Sequence, residues 1–218
     1  SKVTPSLVHN TVDNPIFPNQ GKRLTASVDL AVLGGNTQFY KPRGEAIFFF
    51  RHLSRTSFGF RALAEYISPL GKTEFLPVFE RLFLGGEYSV RGFDIRSIGP
   101  SVPGSFVVLG GNKSLLFNAE YMVSIMSQVR IVTFFDAGQV KDFGEPFSWM
   151  EPLLEVRAPA PPATTDPFAT SSLLDPGAPG VETIEVGRTH AFKTSTGVEL
   201  RFFMPVLNVP FRLIYAWN

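Results

Sequence analysis

A two-residue beat runs through most of this chain and sorts long stretches into an apolar face and a charged face. Leu24, Ala26, Val28 and Leu30 share one parity, while Arg23, Thr25, Ser27 and Asp29 share the other. Phe58, Phe60, Ala62, Ala64 and Tyr66 oppose Gly59, Arg61 and Glu65 in the same way. Leu115, Phe117, Ala119, Tyr121 and Val123 oppose Ser114, Asn118 and Glu120. Val129, Ile131, Thr133, Phe135 and Ala137 oppose Arg130, Asp136 and Gly138. Val198, Leu200 and Phe202 oppose Lys193, Ser195, Glu199 and Arg201, and Phe211, Leu213, Tyr215 and Trp217 oppose Arg212. In residues 39–51, Lys41, Arg43, Glu45 and Arg51 keep one parity and Ala46, Phe48 and Phe50 the other, and a weaker first strand is expected over about residues 2–10.

Alternation alone fits a soluble sandwich, and three further features point elsewhere. The polar faces carry full charges of both signs, as a watery lumen tolerates, while the apolar faces carry almost none. Tyr40, Tyr66, Tyr121, Tyr215 and Trp217 fall near strand ends, where an interfacial girdle needs them. Connections alternate between short (52–56, 124–128, 204–210) and long (34–44, 67–113, 141–190). The expectation is an all-β, antiparallel transmembrane β-barrel of the outer-membrane type. About eight strands cover residues 1–218, their short turns facing the periplasm and the long loops outside.

Composition narrows function mostly by exclusion. Among 218 residues there are 22 Phe, 19 Gly and 18 Pro, a mixture that favours strands and turns over helices. No run of about 18 apolar residues marks a transmembrane helix. A net charge of +1 implies neither nucleic-acid binding nor a polybasic membrane patch. Cysteine is absent, which removes thiol chemistry. His9, His52 and His190 lack acidic neighbours at ligand spacing, so neither a metal nor a cofactor is implied. No Gly-Lys-Ser/Thr phosphate loop or G-x-S-x-G elbow occurs, so catalysis is not expected. The opening Ser1-Lys2-Val3-Thr4-Pro5 is not a signal peptide, as expected of a mature chain or a fragment.

One stretch does not alternate. Phe79 to Pro100 is broken by Gly85, Gly86, Gly92 and Gly99, yet carries Leu82, Phe83, Leu84, Val90, Phe93 and Ile98. Those apolar residues predict a long loop (67–113) folded inward and packed. Within it, Arg91 needs counter-ions if it enters the lumen. Glu120 and Asp136 lie on the lumen parity of the next two strands, and Gly138 leaves room for close approach. A solvated arginine beside two ordinary lumen acids explains the same residues, and spacing alone does not choose between the two. The second long stretch, Glu145 to Gly187, contains eight prolines among Ala, Thr and Ser and is expected to be an extended, solvated loop.

The run Arg81-Leu82-Phe83-Leu84-Gly85-Gly86 with Ser89-Val90-Arg91-Gly92-Phe93 resembles the sixth-loop signature of the BamA superfamily. Phe134-Phe135-Asp136-Ala137-Gly138 is similar to the family's F-x-D-x-G strand motif, and Gly111-Asn112 through Glu120 resembles its preceding strand. Asp13-Asn14-Pro15-x-Phe17-Pro18-x-x-Gly21 resembles the upstream turn-and-strand pattern. The resemblance implies that Val90, Arg91, Gly92 and Phe93 form a functional loop motif held in the lumen through Asp136 and Glu120. It implies the C-terminal half of a sixteen-stranded barrel in the bacterial outer membrane, with the POTRA domains and the last strand outside this sequence. The implied function is assembly and insertion of unfolded outer-membrane β-barrel substrates. Partners would be outer-membrane lipids and, through POTRA domains, assembly-complex lipoproteins. A passive pore, a structural barrel or a two-partner-secretion translocator are the alternatives.

Overall fold

The computed structural model describes residues 2–32, 37–71, 73, 76–101, 107–157, 182–204 and 209–218, with backbone alone for 153–157 and 182–185. Among the described residues there are eleven strands: β1 (Ser6–Asn10), β2 (Gly21–Ala31), β3 (Phe39–Leu53), β4 (Thr56–Tyr66), β5 (Ser68–Pro69), β6 (Lys113–Met126), β7 (Val129–Lys141), β8 (Met150–Arg157), β9 (Glu182–His190), β10 (Lys193–Met204) and β11 (Val209–Trp217). One antiparallel sheet runs β1-β2-β3-β4-β6-β7-β10-β11, and the two-residue β5 adds to the end of β3. Its eight long-path strands follow chain order, as hairpin-connected barrel strands do. Among the described residues β1 and β11 are not paired with each other, so the sheet is open along these two edges.

Burial along these strands is inverted relative to a water-soluble protein. Phe60, Phe117, Phe135 and Leu213 are between 46% and 64% exposed, whereas Asp136 and Glu199 are fully buried. In water this would combine an apolar surface with a charged interior, at high cost on both counts. In lipid the same arrangement is favourable, because hydrocarbon covers the aromatic face and the lumen solvates or pairs the charges. Aromatics gather at both ends of the wall. Tyr40, Tyr66 and Phe143 meet at the long-loop end, and His52, Phe58 and Tyr121 at the short-turn end.

Some positions on the charged parity are apolar, and the inward loop explains them. Leu63, Leu116 and Val140 point into the lumen, where they pack with Leu82, Leu84, Val90 and Ile98 of the segment between β5 and β6. Burying each such side chain contributes about 1.5–3 kcal/mol relative to exposure. The loop is further pinned by backbone bridges between Leu82 and Gly111 and between Leu84 and Ile98.

The long stretch after β7 differs from its expected form. Its two ends are not extended loop but a hairpin, β8 pairing with β9 from Met150↔His190 to Arg157↔Glu182. Proline count obscured the β-branched run Thr183, Ile184 and Val186, which supplies one of the two strands. The proline-rich centre, 158–181, lies outside the described residues. The first strand is shorter than expected, β1 being preceded by a single bridge from Val3 to Leu30.

Candidate functional site in the lumen

Arg91 is 3% exposed and sits where the inward loop meets the wall formed by β6, β7 and β10. Its Nε and Nη2 donate to Asp136 Oδ2 and Oδ1, both at 2.7 Å, a two-pronged guanidinium–carboxylate pair. The Arg91 backbone N–H donates to Asp136 Oδ2 at 3.0 Å, and Asn118 Nδ2 to Asp136 Oδ1 at 2.7 Å. Both carboxylate oxygens are therefore doubly occupied, which is what a buried Asp needs to remain charged at acceptable cost. Arg91 Nη1 reaches Glu120 Oε1 at 2.8 Å and Glu199 Oε2 at 2.7 Å. The guanidinium also lies over the Phe134 ring, 3.7 Å from its centroid.

The network continues beyond Arg91. Arg201 donates to Glu199 and to Glu120, both at 2.7 Å, and Arg212 of β11 clasps Glu199 through Nε and Nη2. Three arginines thus face three carboxylates, and no charge of the cluster is left uncompensated. Glu120 and Asp136, named from the sequence, both contact Arg91. Glu199, Arg201, Arg212 and Phe134 join them without having been singled out as its partners. Their signal was present: Glu199 and Arg201 share the lumen parity of β10, but which row they occupy depends on the β7–β10 register, set by Ser195↔Asp136.

The flanking residues of the motif have separate tasks. Val90 is fully buried in the lumen core, and Phe93 packs against its edge. Gly92 has φ of +85°, and an added Cβ would lie 2.9 Å from the Ala216 side chain, so both backbone and space require glycine. At Gly138 a Cβ would meet Leu84 Cδ1 at 2.7 Å and Val90 Cγ2 at 2.8 Å, so the loop lies directly on this glycine. Tethers from other walls complete the hold. Arg61 of β4 donates to the carbonyl of Tyr88 at 2.7 Å and to Glu45 at 2.7 Å, and Asn118 donates to the carbonyl of Ser89 at 2.8 Å. Beside the cluster a lumen cavity of about 330 Å³ is lined by charges of both signs, among them Arg23, Glu45, Arg61 and Arg212.

A second contact ties the β1–β2 turn to the wall near the short-turn end. Arg130 of β7 is 5% exposed and donates to the carbonyls of Phe17 and Pro18 and to Asn19 Oδ1. The turn between β1 and β2 therefore reaches across the sheet to β7. Asp13 shapes that turn by accepting the backbone N–H groups of Asn14, Asn19 and Gln20. Burial alone would raise the Asp13 pKa, but the N–H groups of Asn19, Gln20 and Asn14 outweigh it and hold the carboxyl below its ordinary value.

Comparison with known proteins fixes the family. Residues 1–218 match the family model described as the Omp85 superfamily domain. The chain belongs to the Omp85 superfamily. It is similar to the outer membrane protein assembly factor BamA of Neisseria meningitidis serogroup B, 28% identical over 141 residues, covering 61% of this chain and 18% of that protein. BamA of Nitratidesulfovibrio vulgaris is 35% identical over 112 residues, 48% of this chain and 14% of the relative. The sorting and assembly machinery component 50 homolog of Bos taurus is 30% identical over 112 residues, 51% of this chain and 23% of the relative. The Omp85 chain thus spans less than a quarter of each of these curated relatives. The crystal structure of BamA from Haemophilus ducreyi lacking POTRA domains 1–3 superposes with a TM-score of 0.70 at 20% identity. That match takes in 99% of this chain and 38% of that one. The Omp85 fold here is accordingly part of a transmembrane β-barrel wall.

Proposed function

We propose that the intact protein inserts β-barrel proteins into the outer membrane, without bond chemistry, and that the Arg91 loop is the internal brace on which this depends. The observation carrying the reading is the Arg91 knot. A barrel wall that must open a seam for a client strand loses lateral pairing energy, because lipid offers no alternative backbone partners. A loop bound at once to β4, β6, β7 and β10 keeps the rest of the wall in register while a seam elsewhere yields. The names of the curated relatives support assembly as the task. On this reading client chains are unfolded outer-membrane β-barrel proteins, and lipoproteins dock on POTRA domains outside this sequence. The short turns face the periplasm, and the β8–β9 hairpin faces outside. A passive pore is the alternative, in which the loop packed on Leu63, Leu116 and Val140 would only narrow the channel.

The test replaces Arg91 by Ala in the full-length protein reconstituted in liposomes. Loop residues 79–100 are expected to become protease-sensitive, and client insertion is expected to fall at least tenfold. Unchanged loop protection together with unchanged insertion would sink the brace. A steady conductance, indifferent to unfolded client, would favour the pore reading.

A further inference from the structure

The lipid-facing side of the wall carries a groove that the brace does not use. Strand registers align Leu7, Ala26, Gly44, Ala64 and Leu115 in one row across β1, β2, β3, β4 and β6, all on the outward parity. The middle of this row is low. A Cβ built on Gly44 meets no atom within 4 Å. Leu7 rises on one flank, and on the other stands Phe147, from the segment joining β7 to β8. Between them lies a cavity of about 710 Å³, which continues toward the short-turn end past Ala46, Ala62 and Phe117.

A cation stands at the mouth. Lys113 is on the outward parity one row nearer the long-loop end, opposite Tyr66 of the aromatic girdle. Its Nζ lies 5.5 Å from the centre of the Phe147 ring. The neighbouring Lys141 and Lys193 are both occupied by Glu151, whereas Lys113 has no ion-pair partner among the described residues. A half-buried lysine without a carboxylate partner among the described residues, at girdle depth and beside an apolar groove, matches a lipid phosphate above its acyl chain. The groove is also continuous with the belt that hydrocarbon already covers.

We propose that this groove is a binding site for one anionic phospholipid, its acyl chain lying over Gly44 and its phosphate against Lys113. The proposal requires that the barrel sit in lipid and is independent of the assembly role. The test uses the full-length protein, delipidated in detergent, given dipalmitoyl phosphatidylglycerol and examined by native mass spectrometry. One phosphatidylglycerol per chain is expected to be retained in preference to phosphatidylethanolamine. Lys113→Gln should weaken retention about fivefold, the effect of one lysine near an anionic surface. Gly44→Phe fills the groove and should abolish retention while the Arg91 loop stays protease-protected, which separates lost binding from lost folding. Equal retention of the two headgroups overturns the proposal, as does unchanged retention in Gly44→Phe. Displacement of phosphatidylglycerol by a bisphosphorylated glycolipid would overturn the phospholipid as the occupant.

Discussion

Asp136 accepts four hydrogen bonds on two oxygens, three of them from Arg91, and this saturation governs what substitutions can do. Lysine at position 91 supplies one ammonium in place of a planar fork, so it cannot serve Asp136, Glu120 and Glu199 together. Arg91→Lys is therefore expected to behave like Arg91→Ala in loop protection, and recovery of wild-type protection by lysine would refute the fork argument. Glu199 is a sharper case because Arg91, Arg201 and Arg212 all converge on it. Glu199→Gln leaves a surplus cation in a buried cluster and should cost about 3–5 kcal/mol, read as a lower urea midpoint of the folded barrel. Adding Arg212→Met removes that surplus and should recover part of the loss. A single Glu199→Gln variant with an unshifted midpoint would show that water, and not Glu199, balances the arginines.

At the scale of elements, the strands were legible because lipid imposes a strict two-residue rule, and Phe117, Phe135 and Leu213 obey it without exception. The inward loop was legible for a different reason. Its leucines, valine and isoleucine had no strand to join, yet were too apolar to be left in water. What alternation could not supply was register, and so Glu199 remained one lumen acid among several. The β8–β9 hairpin was hidden by proline content in the intervening sequence. The β1–β2 turn carries a prediction of its own. The Asp13 carboxyl has a folded pKa below its unfolded value of about 3.9. Its contribution is thus fully present above that unfolded value and is lost as pH falls through the lower folded one. Amide protection of Asn19 and Gln20, corrected for intrinsic exchange, should hold from neutral pH down to about 4 and drop below it. Asp13→Asn should remove the step. Arg130→Ala should loosen the same turn at every pH, because the contacts to Phe17, Pro18 and Asn19 come from a group that does not titrate. A turn equally protected in both variants would mean that neither side chain holds it.

At the scale of the whole molecule, the question is whether the wall formed by residues 1–218 can close on itself. An eight-stranded barrel has an interior just wide enough for its own inward side chains. Here that space must also admit Leu82, Leu84, Val90, Arg91 and Ile98 of the loop, which are buried against Leu63, Leu116 and Val140. Closing eight strands would require expelling the loop, exposing its apolar residues and stripping Asp136 and Glu199 of Arg91. The five-residue β1 is moreover shorter than the 9–11 residues a spanning strand needs, so it presents β11 with an incomplete edge. The 218-residue chain refolded alone in detergent is therefore expected to be a dimer or a broad distribution, without the compact, heat-modifiable monomer band of a closed barrel. Native mass spectrometry beside unboiled gel mobility reads this directly. A compact monomer whose loop is still protected from protease would refute the volume argument. A compact monomer with a cleaved loop would instead locate the stability in strand closure, and would predict that Arg91→Ala leaves its midpoint unchanged.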